Sequence, residues 1–394
     1  MGFSPHRFPA RFWALIAATF LAFLGIGTVL PGLAPHVRYD LGGSDRTVGF
    51  VIGTFSIVAL GSRLFAGRIA DHKGRKASFL TGLVSCALAG ASYLLPLGIG
   101  GMYLGRTFQG FGEACLYIGA ATWAVELGGL DRSARALGYL SSGIWGGISA
   151  GPVVGQWLST FEQAALVQVI AAACSFALLI RVPADYRPEP HAERQNWLRA
   201  SLVAPGFAVG FVNVHYPVIT GFLILHLASH GNSGRAAFST YAGFVLLSRF
   251  FLGGLPDRVH PQYTFYGGLV GMAAGLSILA TGPDWTGAII GASLLGLGFS
   301  FPWASIASTV LKVTPDRQRG STVSLLSAFY DLFVGMSSFS AGIVANRWGY
   351  SAAFVMAVLA LGAAAIAGRA VFARTRTEAQ VTSVETVPAI EPVE

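Results

Sequence analysis

Apolar residues in this chain run in stretches of about 20 to 27, each long enough to cross a hydrocarbon core of about 30 Å as a helix. The stretches lie near 12–36, 46–70, 77–97, 101–124, 135–158, 163–182, 200–227, 236–257, 262–282, 286–312, 319–345 and 349–372. The turns between them are short, except for a segment rich in Pro and charge over 183–199. The pattern predicts an all-α polytopic membrane protein with twelve transmembrane helices. Its halves are a six-helix bundle over 1–182 and a second over 200–372, joined by a cytoplasmic linker over 183–199. A polar, Pro-containing tail over 373–394 is expected to be disordered and cytoplasmic. The halves repeat in parallel. SRLFAGRIAD at 62–71 recurs as SRFFLGGLPD at 248–257, an offset of 186 residues that also carries Pro31 onto Pro217 and Gly110 and Gly112 onto Gly296 and Gly298.

Composition agrees with this reading. Hydrophobic residues make up 53% of the chain and charged ones 11%, against about 25% charged in a soluble domain. The net charge of +8 would suggest nucleic acid in a soluble protein, but its placement explains it. With a cytoplasmic N-terminus, 19 of the 26 Lys and Arg fall on the cytoplasmic side, four outside (Arg38, Arg46, Arg235, Arg347) and three within helices. That bias is the positive-inside rule, and it predicts a multi-pass protein of the cell membrane with both termini cytoplasmic. No nucleic-acid partner is implied. Cys86, Cys115 and Cys174 all lie in apolar stretches with no disulfide or metal spacing. The first stretch is too long for a cleaved signal and is expected to stay as a helix.

Candidate chemistry sits inside the membrane. Arg106, Gln109, Gly110 and Glu113 fall at i, i+3, i+4 and i+7, one face of the fourth helix, and Tyr117 extends the stripe. A charge at bilayer depth costs about 2.5–3.5 kcal/mol on insertion scales, so the stripe must face a wet cavity or a partner. Arg106 can instead snorkel to the outer interface. Glu113 cannot, being about 18 Å from either end on ideal helical rise. Of the 18 acidic residues only Glu113 and Asp331 lie this deep, and they belong to opposite halves. A carboxyl group in low dielectric suits reversible protonation, so each is a candidate proton carrier, with Arg106 a candidate partner of Glu113. A structural hydrogen bond to a neighbouring helix is the alternative for both. Arg63 and Arg249, at matched positions, are expected to snorkel or pair with loop acids. Asn213 and His215 beside Pro217, with Tyr117, Trp145, Trp303 and Tyr330, are candidates for lining a solute cavity together with Gln109. His215 reads equally as a packed hydrogen-bonding group.

In the fifth helix Gly143, Gly147, Gly151 and Gly155 recur every four residues, a ridge without side chains, and Pro152 bends the helix. The ridge reads either as tight packing or as a surface that slides against the other half.

Parallel six-helix repeats joined by a cytoplasmic linker are the pattern of the major facilitator superfamily, which the chain resembles over nearly its whole length. GRIADHKGRK at 67–76 is similar to the superfamily's loop between helices two and three, with Gly67, Asp71, Gly74, Arg75 and Lys76 matching and His72 departing. The resemblance implies that Asp71 caps a helix terminus and pairs with basic residues, latching the halves in the outward-facing state. It also implies Glu126 as partner of the Asp71 and Arg75 cluster, with Arg135 nearby; an ordinary solvated loop is the alternative. The second copy keeps Gly253 and Asp257 but loses the basic end. RTFQGFGEA at 106–114 resembles the fourth-helix motif. GIWGGISAGPVVG at 143–155, centred on Gly151 and Pro152, resembles the fifth-helix motif of antiporters.

The function implied is proton-coupled export of a small organic solute or drug by alternating access, of the twelve-span drug:proton antiporter type. A proton-coupled importer or a uniporter of a small metabolite is the alternative. The three lysines, Lys73, Lys76 and Lys312, follow His, Arg and Leu, so no Walker A lysine exists and an ion gradient is the expected energy source. Neither a catalytic constellation nor a soluble signalling domain is visible, so an enzyme or a sensor is not expected. The expected partners are the solute, protons and the lipid bilayer. No metal or cofactor is expected, and the unit is expected to be a monomer.

Overall fold

The computed structural model describes residues 8–129, 132–183, 200–252, 259–314 and 319–385. The apolar stretches form helices, and no strand occurs among the described residues. In chain order they are α1 (Ala10–Pro35), α2 (Asp45–Lys73), α3 (Arg75–Leu94), α4 (Gly98–Gly128), α5 (Ser133–Gly155), α6 (Phe161–Ile180), α7 (Val203–Asn213), α8 (His215–Ser229), α9 (Gly234–Leu252), α10 (Pro261–Ala280), α11 (Trp285–Lys312), α12 (Arg319–Trp348) and α13 (Tyr350–Glu385). A π-helical turn, His36–Asp40, extends α1.

Local chemistry sets many of the ends. Ser44 Oγ accepts from the Thr47 amide at the start of α2, Thr160 and Gln163 form a capping box at α6, and Asp284 caps α11. Gly74 is the only residue between α2 and α3, and its φ of 99° is one that residues with a Cβ rarely adopt. Gly349, at φ 84°, makes the matching joint between α12 and α13.

Nine helices among the described residues are long and apolar enough to cross a membrane, with Val203–Ser229 counted as one. Helices α4, α5 and α9 are not among them; α4 carries Arg106 and Glu113 within its length, and α5 is rich in Gly and Ser. The seventh stretch, expected to be continuous, breaks at Val214. Pro217 explains the break: it has no N–H for the carbonyl four residues back, and it is tolerated in the first turn of a new helix. The tail also departs from expectation, since α13 runs on to Glu385. The sequence from 373 to 385 contains no proline or glycine to stop it, and the first proline is Pro388. Residues 386–394, most of the linker (184–199), and Gly253 and Asp257 lie outside the described residues.

Packing groups the helices by half. Helix α1 packs on α5 and α6, α4 on α2 and α3, α11 on α9 and α10, and α7 on α12 and α13. Between halves, α2 meets α12 and α5 meets α9. At the end away from the termini the halves share one apolar core, in which Val29, Leu33 and Val48 join Ile219, Phe222 and Leu223. There the seam is closed to backbone contact: a Cβ on Gly49 would lie 2.6 Å from Gly342 Cα. Tyr350 Oη donates to Asp45 (2.9 Å), Arg235 to the Leu158 carbonyl (3.1 Å) and Ser239 to the Pro152 carbonyl (3.2 Å). Nearer the termini the first half has its own core, built on Phe12, Leu15, Phe79, Trp123 and Leu140.

Candidate functional site

The deepest charges meet on the seam. Arg63 of α2 reaches across to Asp331 of α12: Nε donates to Oδ2 at 2.8 Å and Nη2 donates to the same oxygen. Both side chains are largely buried, at 17% and 10% exposed. The ring of Tyr117 lies 5.3 Å from the guanidinium carbon. Glu113, one turn earlier on α4, stands within electrostatic range of both Arg63 and Asp331, and its Oε2 is buried without a hydrogen-bond partner. One carboxylate is therefore paired with the guanidinium, and a second buried carboxyl group lies near the pair. Arg63 thus neither snorkels nor serves a loop acid, because an acid of the opposite half stands within its reach.

Further along the seam Arg249 of α9 makes the reciprocal crossing. Its guanidinium carbon sits 4.2 Å from the Trp145 ring centroid on α5 and 5.9 Å from that of Phe299 on α11. Its Nε is buried without a hydrogen-bond partner. Trp145 meets Phe299 and Tyr330 edge-on, and Tyr330 meets Trp303. A small cavity of ≈ 30 Å³ lies behind Trp145 and Phe299, bounded also by Ser149, Tyr216 and Tyr241. It has room for water and not for a solute.

The two clusters are related residue by residue. Arg249 follows Arg63 by 186 positions, Phe299 follows Glu113, Trp303 follows Tyr117, and Asp331 follows Trp145. In each copy an arginine of one half faces the equivalent position of the other. This is the offset already visible in the 62–71 repeat, so the partner of Arg63 was within reach of the sequence once that offset was applied to α5 and α12.

The polar stripe of α4 divides. Arg106 is 3% exposed and turned into the first half. Its Nη1 donates to Gln109 Oε1 (2.6 Å), which also accepts from Tyr93 Oη (3.0 Å), while Nη2 donates to the Ile52 carbonyl. Gln109 continues through Gln168 to the Cys86 carbonyl. Arg106 therefore does not snorkel, and the groups around it are Gln109, Tyr93 and the Phe55 ring rather than Glu113. Gln109 lies in that packed network, away from the cavity. Asn213 and His215 flank the helix break. Asn213 Nδ2 donates to the Val209 carbonyl, His215 Nδ1 to the Val212 carbonyl, and Tyr241 Oη lies 3.1 Å from His215 Nε2. Both are fully buried, and His215 packs behind Phe299.

The glycine ridge of α5 faces α1 of its own half. A Cβ on Gly147 would lie 2.3 Å from the Phe20 carbonyl oxygen, one on Gly151 2.5 Å from Gly27, and one on Gly155 2.6 Å from the Thr28 carbonyl oxygen. These glycines pack closely against α1 of their own half. The face of α5 turned to the seam carries Trp145 and the Pro152 carbonyl instead. In the loop motif Arg75 donates to Glu126 (2.7 Å), and Lys76 Nζ donates to the carbonyls of Ile180 and Val182 at the end of α6 (2.7 Å each). Gly67 has open space around its Cβ position, Asp71 lies exposed in the last turn of α2, and Arg135 is exposed. Among the described residues no group of three or more His, Cys, Asp or Glu could hold a metal ion.

The profile of the Major Facilitator Superfamily matches residues 15–234 and 202–390. An uncharacterized MFS-type transporter of Salmonella typhimurium is 26% identical over 380 residues, which is 92% of this chain and 97% of its own length. One from Burkholderia mallei is 27% identical over 364 residues, 89% of each chain. Among solved structures, a point mutant of the nucleoside transporter NupG superposes with a TM-score of 0.74 at 15% identity, over 92% of this chain and 99% of that one. A POT family transporter in complex with a thioalcohol-conjugated peptide also gives 0.74, at 12% identity over 93% and 96%. At such identities the likeness is one of fold.

Proposed function

The chain belongs to the Major Facilitator Superfamily, and from that premise we propose that it is a proton-coupled exporter of a small organic solute, working by alternating access. The observation that carries this reading is the trio of Arg63, Asp331 and Glu113 on the seam between halves. One guanidinium neutralises one carboxylate; the second carboxyl is neutral only while it holds a proton. Loading or losing that proton changes the net charge at the point where the halves touch, and so biases how they sit against each other. Breaking a buried pair leaves an uncompensated charge, which ties the pair's making and breaking to the protonation of its neighbours.

The direction, export, is supported by the resemblance of Gly151 and Pro152 to the antiporter motif. We take α7 and α8 as one crossing, which gives twelve crossings in two parallel repeats. The Lys and Arg bias then puts both termini in the cytoplasm. The Arg75–Glu126 pair and the Lys76 contacts hold the start of α3 to α4 and the end of α6 within the first half; the latch between halves rests on the resemblance alone. The unit is taken to be a monomer in the cell membrane.

The test is solute-driven proton movement in everted vesicles, with a panel of anionic, neutral, cationic and sugar-like solutes. The expected result is proton release from acid-loaded vesicles on adding a transported solute, lost in Asp331→Asn and in Glu113→Gln. Solute flux without proton movement, unchanged in both variants, would replace this reading with a uniporter. Proton movement in the opposite sense would replace export with import.

A further inference from the structure

We propose that Arg249 anchors an anionic group of the solute, so that the substrate class is a flat organic anion such as an aromatic carboxylate. The proposal rests on the transporter reading and concerns the solute rather than the proton.

The repeat itself indicates what is missing around Arg249. In the first copy the guanidinium is met by a carboxylate from the opposite half and has a second carboxyl beside it. In the second copy the cation is kept, but the two acid positions hold Trp145 and Phe299. Among the described residues no carboxylate lies within ion-pair distance of Arg249. The Trp145 face supports the cation from one side, yet a ring face leaves the in-plane N–H fork unsatisfied. Nε, for one, has no acceptor although it is fully shielded. A planar fork of donors with no acceptor in the protein matches a carboxylate, which accepts two parallel N–H bonds.

The surroundings specify the rest of the ligand. Trp145, Phe299, Trp303 and Tyr330 form a chain of edge-to-face rings, of which Trp145 and Phe299 lie against the guanidinium. Those walls suit a flat apolar body attached to the anion. The cavity behind Trp145 and Phe299 is too small for such a molecule, so admitting it requires Trp145 and the α5–α9 seam to give way. Binding at Arg249 and the relative position of the halves are thereby linked.

The experiment measures equilibrium binding of radiolabelled 1-naphthoate to the full chain in neutral detergent, with 1-naphthamide and 1-naphthylmethylammonium as competitors of similar shape. The expected result is saturable naphthoate binding that the amide displaces at least about 10-fold less well than unlabelled naphthoate, the discrimination expected of a charge-assisted hydrogen bond. The ammonium should not displace it. Arg249→Gln should weaken binding by a similar factor and Arg249→Lys by less. Trp145→Asp, which puts into the second copy the acid that the first copy has, should abolish binding, with a melting temperature no lower than that of Trp145→Ala. Equal competition by the amide, unchanged binding in Arg249→Gln, or no saturable naphthoate binding to the wild type would each overturn the proposal. The competition is read on the wild type and therefore survives a variant that fails to fold. No gradient is applied, so proton coupling can fail while naphthoate still binds. Naphthoate binding can likewise fail while another solute of the vesicle panel moves protons.

Discussion

Around Arg63 the buried guanidinium meets a carboxylate of the opposite half, with a second carboxyl beside it; around Arg249 it meets an indole face, with a phenyl ring where that second carboxyl would be. The backbone arrangement is common to both, because the arginines and their partners are all 186 residues apart. Duplication has preserved the geometry of the crossing while the partner residues diverged. On the proposed reading, an internal acid makes a site that responds to protons. An internal aromatic leaves the cation's hydrogen bonds open to something from outside. On that reading, proton coupling and solute recognition are two uses of one repeated contact.

If the first cluster is a true buried ion pair, Asp331→Ala should destabilise the protein by about 3–5 kcal/mol, the usual consequence of stranding a buried charge. Thermal melting in detergent would read this, and Arg63→Met combined with Asp331→Leu should recover most of the loss. A double variant no better than the single one would mean that the pair does not act as a unit. The second cluster should respond less. Arg249→Met removes a cation–π contact of about 2 kcal/mol and strands no acid, so its melting temperature should fall by less than that of Asp331→Ala. Equal losses would break the contrast between the two clusters. The smallest stability change is expected for Glu113→Gln, within about 1 kcal/mol, because no hydrogen bond to Oε2 is lost. That same variant should nevertheless lose solute-driven proton movement. Intact proton movement would remove Glu113 from the coupling site.

Much of the fold could be read from the order of the apolar stretches, because helix existence depends on length and hydropathy, which are local. Rotation about each helix axis is not local, and the errors trace to it. Arg106 and Glu113 share a stripe on α4, yet one turns into a polar network with Gln109 and Tyr93 while the other faces the seam. Gly147 and Gly151 announced a smooth ridge without saying which neighbour would use it, and α1 does. The partner of Arg63 is 268 residues away, beyond any helical periodicity. Only the internal repeat carried that information, through the match of Trp145 to Asp331. The break at Val214 had a local cause in Pro217, three residues on, which reads ambiguously as kink or helix start.

The most direct test of proton coupling at the first cluster separates exchange from net transport. Purified protein in proteoliposomes would be assayed for solute counterflow, which moves no net protons, and for accumulation driven by a pH gradient. For Asp331→Asn the account predicts that counterflow persists while gradient-driven accumulation falls to the level of empty liposomes. Accumulation that continues in Asp331→Asn, or a parallel loss of both activities in correctly folded protein, would contradict it.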